Sequence, residues 1–285
     1  MLPEQRRAEI KAMILQRKVI SVHEVADKLD VSTETVRRDF FALEHEGVLE
    51  RTRGGARIST LVAPGASNLE LEGVFVEEKR AIAAQATRMV RAGACVFLDS
   101  STTSLALARQ LGHGPMTVAT NSLAILSELS GREDINLVAV GGTLSRRRRC
   151  FVGRIAREML NDYYFDIVFL SCRSLDMRAG VTDSSDEEVE IKSTVAGRTN
   201  RLVLLADHSK FGRASFSRVC EIADLDNLIT DQRPDPEWLA FLEDNSVGVS
   251  WLAGASDAPA VEDEREPEAI ADRGDIPEGL QAEGR

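Results

Sequence analysis

Residues 19–56 read VISVHEVADKLDVSTETVRRDFFALEHEGVLERTRGGA, and the physical reading of this stretch decides the N-terminal fold. Ser21-Val22-His23-Glu24 has the S-x-x-E spacing of a capping box, in which serine and glutamate side chains satisfy backbone donors at a helix start. The helix that follows carries Val22, Val25, Ala26 and Leu29 on one face. Asp30-Val31-Ser32 makes a tight turn, Ser32 is placed to cap a second helix running to about His45, and Gly47 ends it. Val36, Phe40 and Leu43 form the buried stripe of this second helix. At 100° per residue Arg38 falls roughly 180° from the stripe's centre, with Arg37 to its side. Two short amphipathic helices, a three-residue turn and outward arginines predict a helix-turn-helix.

The residues after it extend the module. Val48-Leu49-Glu50-Arg51-Thr52-Arg53 alternates like a strand, Gly54-Gly55 signals a turn, and Ala56-Arg57-Ile58 can return. Such a hairpin is a wing. The second helix would read base edges in the major groove while wing arginines fix register through phosphates. The candidate DNA contacts are Ser32, Thr33, Thr35, Arg37 and Arg38 on the helix and Arg51 and Arg53 on the wing, with Arg57 beside them. The competing reading is an ordinary helical hairpin with solvated arginines.

The run Val31-Ser32-x-x-Thr35-Val36-Arg37-Arg38-Asp39-Phe40-x-x-Leu43-Glu44-x-x-Gly47-Val48-Leu49-x-Arg51, then Gly54-Gly55-Ala56, resembles the signature of DeoR-family transcriptional regulators. The resemblance implies an N-terminal winged helix joined to a C-terminal sugar-phosphate sensor. Arg53 departs from it, standing where many members carry histidine before the two glycines; arginine strengthens a phosphate contact there and removes its pH sensitivity.

A chain of 285 residues accommodates two compact domains. No apolar run approaches the ~20 residues of a membrane span, and Pro3, Glu4 and Glu9 do not suit a signal peptide. Cys95, Cys150, Cys172 and Cys220 are widely spaced, which suggests neither a zinc site nor a disulfide framework and fits a reduced cytoplasm. The net charge of −11 looks wrong for a DNA binder until it is located. Residues 252–285 hold 10 acids against 3 bases, whereas residues 1–57 hold 11 bases against 10 acids. The acidity is mainly in the tail, and a nearly neutral DNA module implies that two or more copies act together, as a homodimer or homotetramer.

The expected division is a DNA-binding domain over 1–58, a linker over 59–76, an α/β domain over 77–250 and a disordered acidic tail over 251–285. In the third segment apolar runs at 95–98, 117–119, 137–140, 167–170, 202–205 and 228–229 alternate with helical stretches at 77–91, 105–111, 123–129 and 187–199. That alternation predicts a mostly parallel sheet covered on both faces. Ligands of such sheets bind beyond the carboxyl ends of the strands. Polar clusters stand there: Asp99, Ser100, Ser101, Thr102 and Thr103; Thr120 and Asn121; Gly141 and Gly142; Asp207 and Lys210. The first is an anion site, with hydroxyls and backbone N–H groups entering a helix, or a plain helix cap. Together the clusters suit a phosphorylated ligand.

This part also resembles the DeoR-family sensor, in Asp99-Ser-Ser-Thr-Thr103, Thr120-Asn121-Ser122, Gly141-Gly142, Phe151-Val152-Gly153, Glu190-x-Lys192, Asp207-His-Ser-Lys210-Phe211 and Thr230-Asp231. The resemblance implies a fold similar to ribose-5-phosphate isomerase and the coenzyme A transferases. It assigns phosphate to Ser100–Thr103, the sugar to Asn121, Gly141 and Gly142, and charged contacts to Asp207, Lys210 and Lys192. Ser101 stands where many members have glycine, and Arg173-Ser174 where a small residue and glycine are usual; Arg146–Arg149 is a further unusual run. No cofactor, metal or membrane partner is expected. The function expected is a repressor of carbohydrate genes whose affinity for operator DNA is set by a phosphorylated sugar. The alternatives are an isomerase-like enzyme, using Asp207 with Lys192 or Lys210, and a DNA-binding scaffold without a ligand.

Overall fold

The computed structural model describes residues 2–45, 48–58 and 68–252. Gly47, residues 59–67 of the expected linker and the tail from Ala253 lie outside the described residues.

The DNA module opens with a helix that periodicity alone did not announce, α1 (Pro3–Arg17). It is followed by β1 (Val19–Ser21), α2 (Val22–Leu29), α3 (Thr33–His45), β2 (Leu49–Thr52) and β3 (Gly55–Ile58). The capping box forms: Glu24 N–H donates to Ser21 Oγ at 3.1 Å, and Ser21 N–H reaches the Glu24 carboxylate at 3.5 Å. Asp30 takes the left-handed conformation (φ 52°) that turns α2 toward α3. Ser32 Oγ accepts from Thr35 N–H at 3.2 Å and caps α3. The wing is a small antiparallel sheet, ordered β1-β3-β2. Gly54 has φ +93° at its tip, and a Cβ on Gly55 would stand 2.3 Å from the Ile20 carbonyl oxygen. Only glycine lets β3 lie that close to β1. Val25, Val36, Phe40, Leu43, Leu49 and Ala56 fill the core.

Part of the expected linker is ordered. Residues Asn68–Glu72 form α4, and Val74 and Phe75 pack into the core of the winged helix. The small and turn-forming composition of 59–76 conceals this, because among its described residues only Val74 and Phe75 carry the apolar contact.

The α/β body begins with α5 (Val76–Ala86). Its strands and helices, in chain order, are β4 (Cys95–Leu98), α6 (Thr102–Ala108), β5 (Met116–Thr120), α7 (Leu123–Leu129), β6 (Ile135–Ala139), β7 (Thr143–Ser145), β8 (Cys150–Val152), α8 (Arg154–Asn161) and β9 (Ile167–Ser171). Then come β10 (Ser174–Asp176), β11 (Gly180–Asp183), α9 (Asp186–Ala196), β12 (Leu202–Leu205), β13 (Ser217–Cys220), β14 (Asn227–Ile229), α10 (Pro236–Asp244) and β15 (Gly248–Ser250). Seven strands form one all-parallel sheet, ordered β15-β14-β12-β9-β4-β5-β6. Alternate residues of the apolar runs face opposite layers. Phe97, Val168, Leu170 and Leu204 enter one core, and Val96, Leu98, Phe169 and Leu205 the other. An antiparallel sheet, β10-β11-β13, and the β7-β8 hairpin were not foreseen, since strands of three or four residues, most of them mixing polar and apolar side chains, are too short to give a period. Among the described residues no helix is long and apolar enough to cross a membrane.

Candidate DNA-reading surface and effector site

The exposed side of α3 presents Ser32, Arg37 and Arg38, with Thr33 and Thr35 half-buried beside them. Arg38 is 81 % exposed, and its guanidinium lies 3.7 Å from Glu34 one turn earlier. Opposite it, Asp39 is buried and grips Arg6 of α1 through both carboxylate oxygens, which fixes the reading helix against α1. The wing arginines differ among themselves. Arg51 is held by Glu44, through its backbone N–H at 2.9 Å and its side chain, and stacks 5.1 Å from the Phe41 ring centre. The Arg51 contacts hold the Glu44 carboxyl below its usual range. Arg57 pairs with Glu50 at 2.6 Å. Arg53 is exposed at the wing tip with no side-chain partner among the described residues. Arg37, Arg38 and Arg53 are therefore the least committed of the candidate contact arginines.

Of the residues expected around the ligand, Ser101, Thr102, Thr103, Lys192, Asp207 and Lys210 line one cavity in the α/β body. All but Lys192, which projects from α9, come from a strand end. The β4–α6 turn brings Ser101–Thr103, and the turn after β12 brings Asp207 and Lys210, in keeping with chemistry beyond the carboxyl ends of parallel strands. Asp207 is 1 % exposed. Its Oδ1 accepts from Ser209 N–H at 3.0 Å and from the Ser209 hydroxyl, while Oδ2 has no hydrogen-bond partner. Burial works against its charge, but Lys210, at 3.8 Å, together with the Ser209 hydrogen bond, holds its pKa below the ordinary value. A buried carboxylate with one oxygen unoccupied has an acceptor position open to the cavity.

Lys192 is consumed internally. Its ammonium donates to Ser171 O at 2.8 Å and Asp183 Oδ2 at 2.6 Å, and stands 3.4 Å from Asp99. Burial opposes the charge, yet Asp183, Asp99 and Glu188 outweigh it and raise its pKa. Asp99 does not line the cavity. It ties the site together from beneath, accepting from Ser101 N–H (3.1 Å), Ser104 Oγ (2.6 Å) and Ser171 N–H (2.9 Å). Ser100 faces Glu188, 3.2 Å away.

Thr120, Asn121, Gly141 and Gly142 lie elsewhere. Thr120 Oγ1 donates to Leu98 O at 2.7 Å, and Asn121 Nδ2 donates to Phe151 O at 2.9 Å, pinning the β7-β8 hairpin. Gly142 has φ +142°, and a Cβ there would meet Val152 O at 2.7 Å, so it serves the backbone of that hairpin.

The cavity also contains residues that sequence reasoning did not place in it: Asn68, Lys79, Asp183, Glu188, Ser209 and Arg213. Arg148 and Arg173 line it too, both flagged in the sequence as unusual. Lys79 looks like a solvent residue on α5, but it is buried, donating to Leu71 O and to Val74 O at 2.7 Å, and burial brings its pKa down to about 7. No sequence signal marks it, since its acceptors are backbone carbonyls just before α5. Cys172 is the one thiol lining the cavity among the described residues; burial pushes it up to about 12, so it is no thiolate.

One wall joins the cavity to the DNA module. Val74 and Phe75 line the cavity and belong to the winged-helix core. Lys18, between α1 and β1, places its ammonium 4.9 Å from the Phe75 ring centre and 3.5 Å from Glu78. His208 meets the same ring edge-on at 5.3 Å and bonds Asp231 Oδ2 at 2.7 Å.

Residues 6–61 match the model of the DeoR-like helix-turn-helix domain, and residues 74–232 match that of the DeoR C terminal sensor domain. The chain belongs to the DeoR family. It is 36 % identical over 250 residues to the uncharacterized HTH-type transcriptional regulator YulB of Bacillus subtilis, covering 88 % of this chain and 97 % of that protein. It is 34 % identical to the HTH-type transcriptional regulator GlpR of Haloferax volcanii, covering 90 % and 100 %. The HTH-type transcriptional repressor GlcR of Bacillus subtilis is 32 % identical, with 87 % and 95 % covered. Ribose 5-phosphate isomerase A of Methanocaldococcus jannaschii is similar at 18 % identity and a TM-score of 0.37, over 48 % of this chain and 55 % of that one. As a DeoR-family member the chain is a helix-turn-helix transcriptional regulator, with the reading helix and the sensor cavity on one continuous polypeptide.

Proposed function

We propose that this protein is a repressor of carbohydrate genes whose affinity for operator DNA is set by a phosphorylated sugar held in the α/β cavity. The observation that carries the reading is the shared wall: Val74 and Phe75 line the cavity and also help to fill the winged-helix core. A ligand touching that wall acts on the DNA module directly. The cavity chemistry suits the ligand class. Asp207 Oδ2 accepts a sugar hydroxyl, and the Ser101–Thr103 hydroxyls with Lys210 meet a phosphoryl group. The ligand favours one arrangement of the wall, DNA the other, and the two affinities are coupled reciprocally. Pairing of two or more copies supplies the affinity that one nearly neutral module lacks.

The test uses the full chain and DNA selected by it from a random pool. Operator affinity is measured by fluorescence anisotropy with and without a panel of sugar phosphates and their unphosphorylated counterparts. A phosphorylated sugar should release the wild-type protein, and Asp207→Asn should bind DNA normally but respond at least tenfold less. If no sugar phosphate changes DNA affinity, the sensor reading fails. If a sugar phosphate is turned over instead, the Asp207–Lys210 pair is that of an isomerase.

A further inference from the structure

The cavity carries more cationic chemistry than one phosphoryl group requires. Its lysines and arginines are not equivalent. Lys192 is paired with Asp183 and Asp99, and Lys210 stands beside Asp207. Arg148 lies 3.0 Å from Glu188 Oε2 and donates to Ser184 Oγ at 3.0 Å. Arg173 has no such partner: its guanidinium makes no hydrogen bond or ion pair among the described residues.

Arg173 is nonetheless firmly placed. It sits in the short turn between β9 and β10, where its backbone N–H donates to Thr182 O at 3.0 Å. Arg213 is held beside β10 by its own N–H, which donates to Leu175 O at 3.0 Å, and lines the same cavity. Burial, and then the positive charge of Arg148, lowers the Arg173 pKa, with Arg213 adding to the effect against Asp183 and Asp207. A half-buried guanidinium held among other guanidiniums, with no carboxylate paired to it, costs stability in the empty protein. Bidentate binding of a planar or tetrahedral oxyanion recovers that cost.

We infer that Arg173, backed by Arg148 and Arg213, forms a second anion subsite, so that the effector carries a further carboxylate or phosphoryl group besides its sugar phosphate. This rests on the reading of the cavity as a phosphosugar site. The second group selects among sugar phosphates: an aldonic acid phosphate or a bisphosphate is preferred to the neutral-ended monophosphate.

The experiment compares ligand pairs that differ by one anionic group, on the full-length protein, by thermal unfolding and calorimetric titration. The pairs are glucose 6-phosphate with 6-phosphogluconate, and fructose 6-phosphate with fructose 1,6-bisphosphate; inorganic phosphate is the common control. The doubly anionic member of at least one pair should bind about tenfold or more tightly than its partner, the first pair reporting a carboxylate and the second a phosphoryl. Arg173→Ser should erase that difference while keeping monophosphate binding, and Arg173→Lys should recover only part of it. Without ligand, Arg173→Ser should unfold at or above the wild-type temperature, whereas a structural role for Arg173 requires a fall. Equal affinity within both pairs, or an Arg173→Ser variant that loses monophosphate to the same degree, overturns the second subsite and leaves phosphosugar sensing standing. Silence with all four sugars and with phosphate removes the phosphosugar reading, and the second subsite with it.

Discussion

Arg38 and Arg53 differ in what their positions let them read. Arg38 projects from the exposed side of α3, where a side chain in the major groove meets base edges. Arg38→Ala is expected to cost about 1–3 kcal/mol on the preferred sequence and to relax selectivity. Arg53 is exposed at the wing tip, the place proposed for phosphate contact, so Arg53→Ala should weaken all sequences alike and flatten the salt dependence. Competition binding across a salt series separates the two, and wild-type affinity in both variants would remove the assignment. Gly55 is a residue-scale constraint of another kind. A Cβ there would press 2.3 Å from Ile20 O, a backbone atom that cannot rotate away. Gly55→Ala should therefore cost about 1–3 kcal/mol in thermal or denaturant unfolding; an unchanged midpoint would show that β1 and β3 can part freely.

At the scale of elements, legibility followed the strength of local signals. The capping box at Ser21 and Glu24, the Asp30 turn and the Gly54-Gly55 hairpin were readable because each is a side-chain or backbone requirement met within a few residues. The six apolar runs were readable because a strand covered on both faces must be continuously apolar. The sheet β10-β11-β13 was not, since its strands are short and gather polar residues such as Ser174 and Asp176. The cavity divides in the same way. Ser101–Thr103, Asp207 and Lys210 follow strands directly, whereas Lys79 is a helix residue held by the Leu71 and Val74 carbonyls, which no side-chain spacing encodes. Asn121 and Gly142 stand after strands too, yet they serve the β7-β8 hairpin.

The turn after β12 gives an element-scale prediction in pH. Its His208 bonds Asp231, which raises the imidazole pKa above its ordinary value of 6.5. A raised folded-state pKa gives stability that is fully present below 6.5 and is lost as pH rises through the folded value. The stability difference between wild type and His208→Gln should be largest at and below pH 6.5 and shrink above it. Denaturant unfolding across that range measures it, and a difference that grows with pH would contradict the His208–Asp231 pairing.

For the whole molecule the decisive contact is the Phe75 ring, between Lys18 of the DNA module and His208 of the sensor body. Phe75 adopts φ 52°, a conformation that a phenylalanine keeps only when its surroundings demand it. Phe75→Leu retains an apolar core residue but loses the ring that both partners touch. It is expected to bind operator DNA close to normally while the ratio of affinities with and without sugar phosphate falls toward one. Typical coupling is about 1–3 kcal/mol, which anisotropy titrations resolve easily. An undiminished ratio would send the signal by another route.

The strand order β15-β14-β12-β9-β4-β5-β6 has a consequence for how the protein is made. Its centre joins β4 to β9, so Val96 must wait for Ile167, and Leu98 for Phe169, before the middle of the sheet can close. The winged helix, by contrast, has all its core residues once Phe75 has been synthesised. At roughly 5–20 residues per second, the ribosome spends on the order of ten seconds between those two points. For that interval a nascent chain carries a complete winged-helix core beside a sheet whose centre cannot yet close. Newly made molecules thus pass through a short, half-finished youth, whose length is set by the synthesis that long-range pairing of the parallel sheet must await.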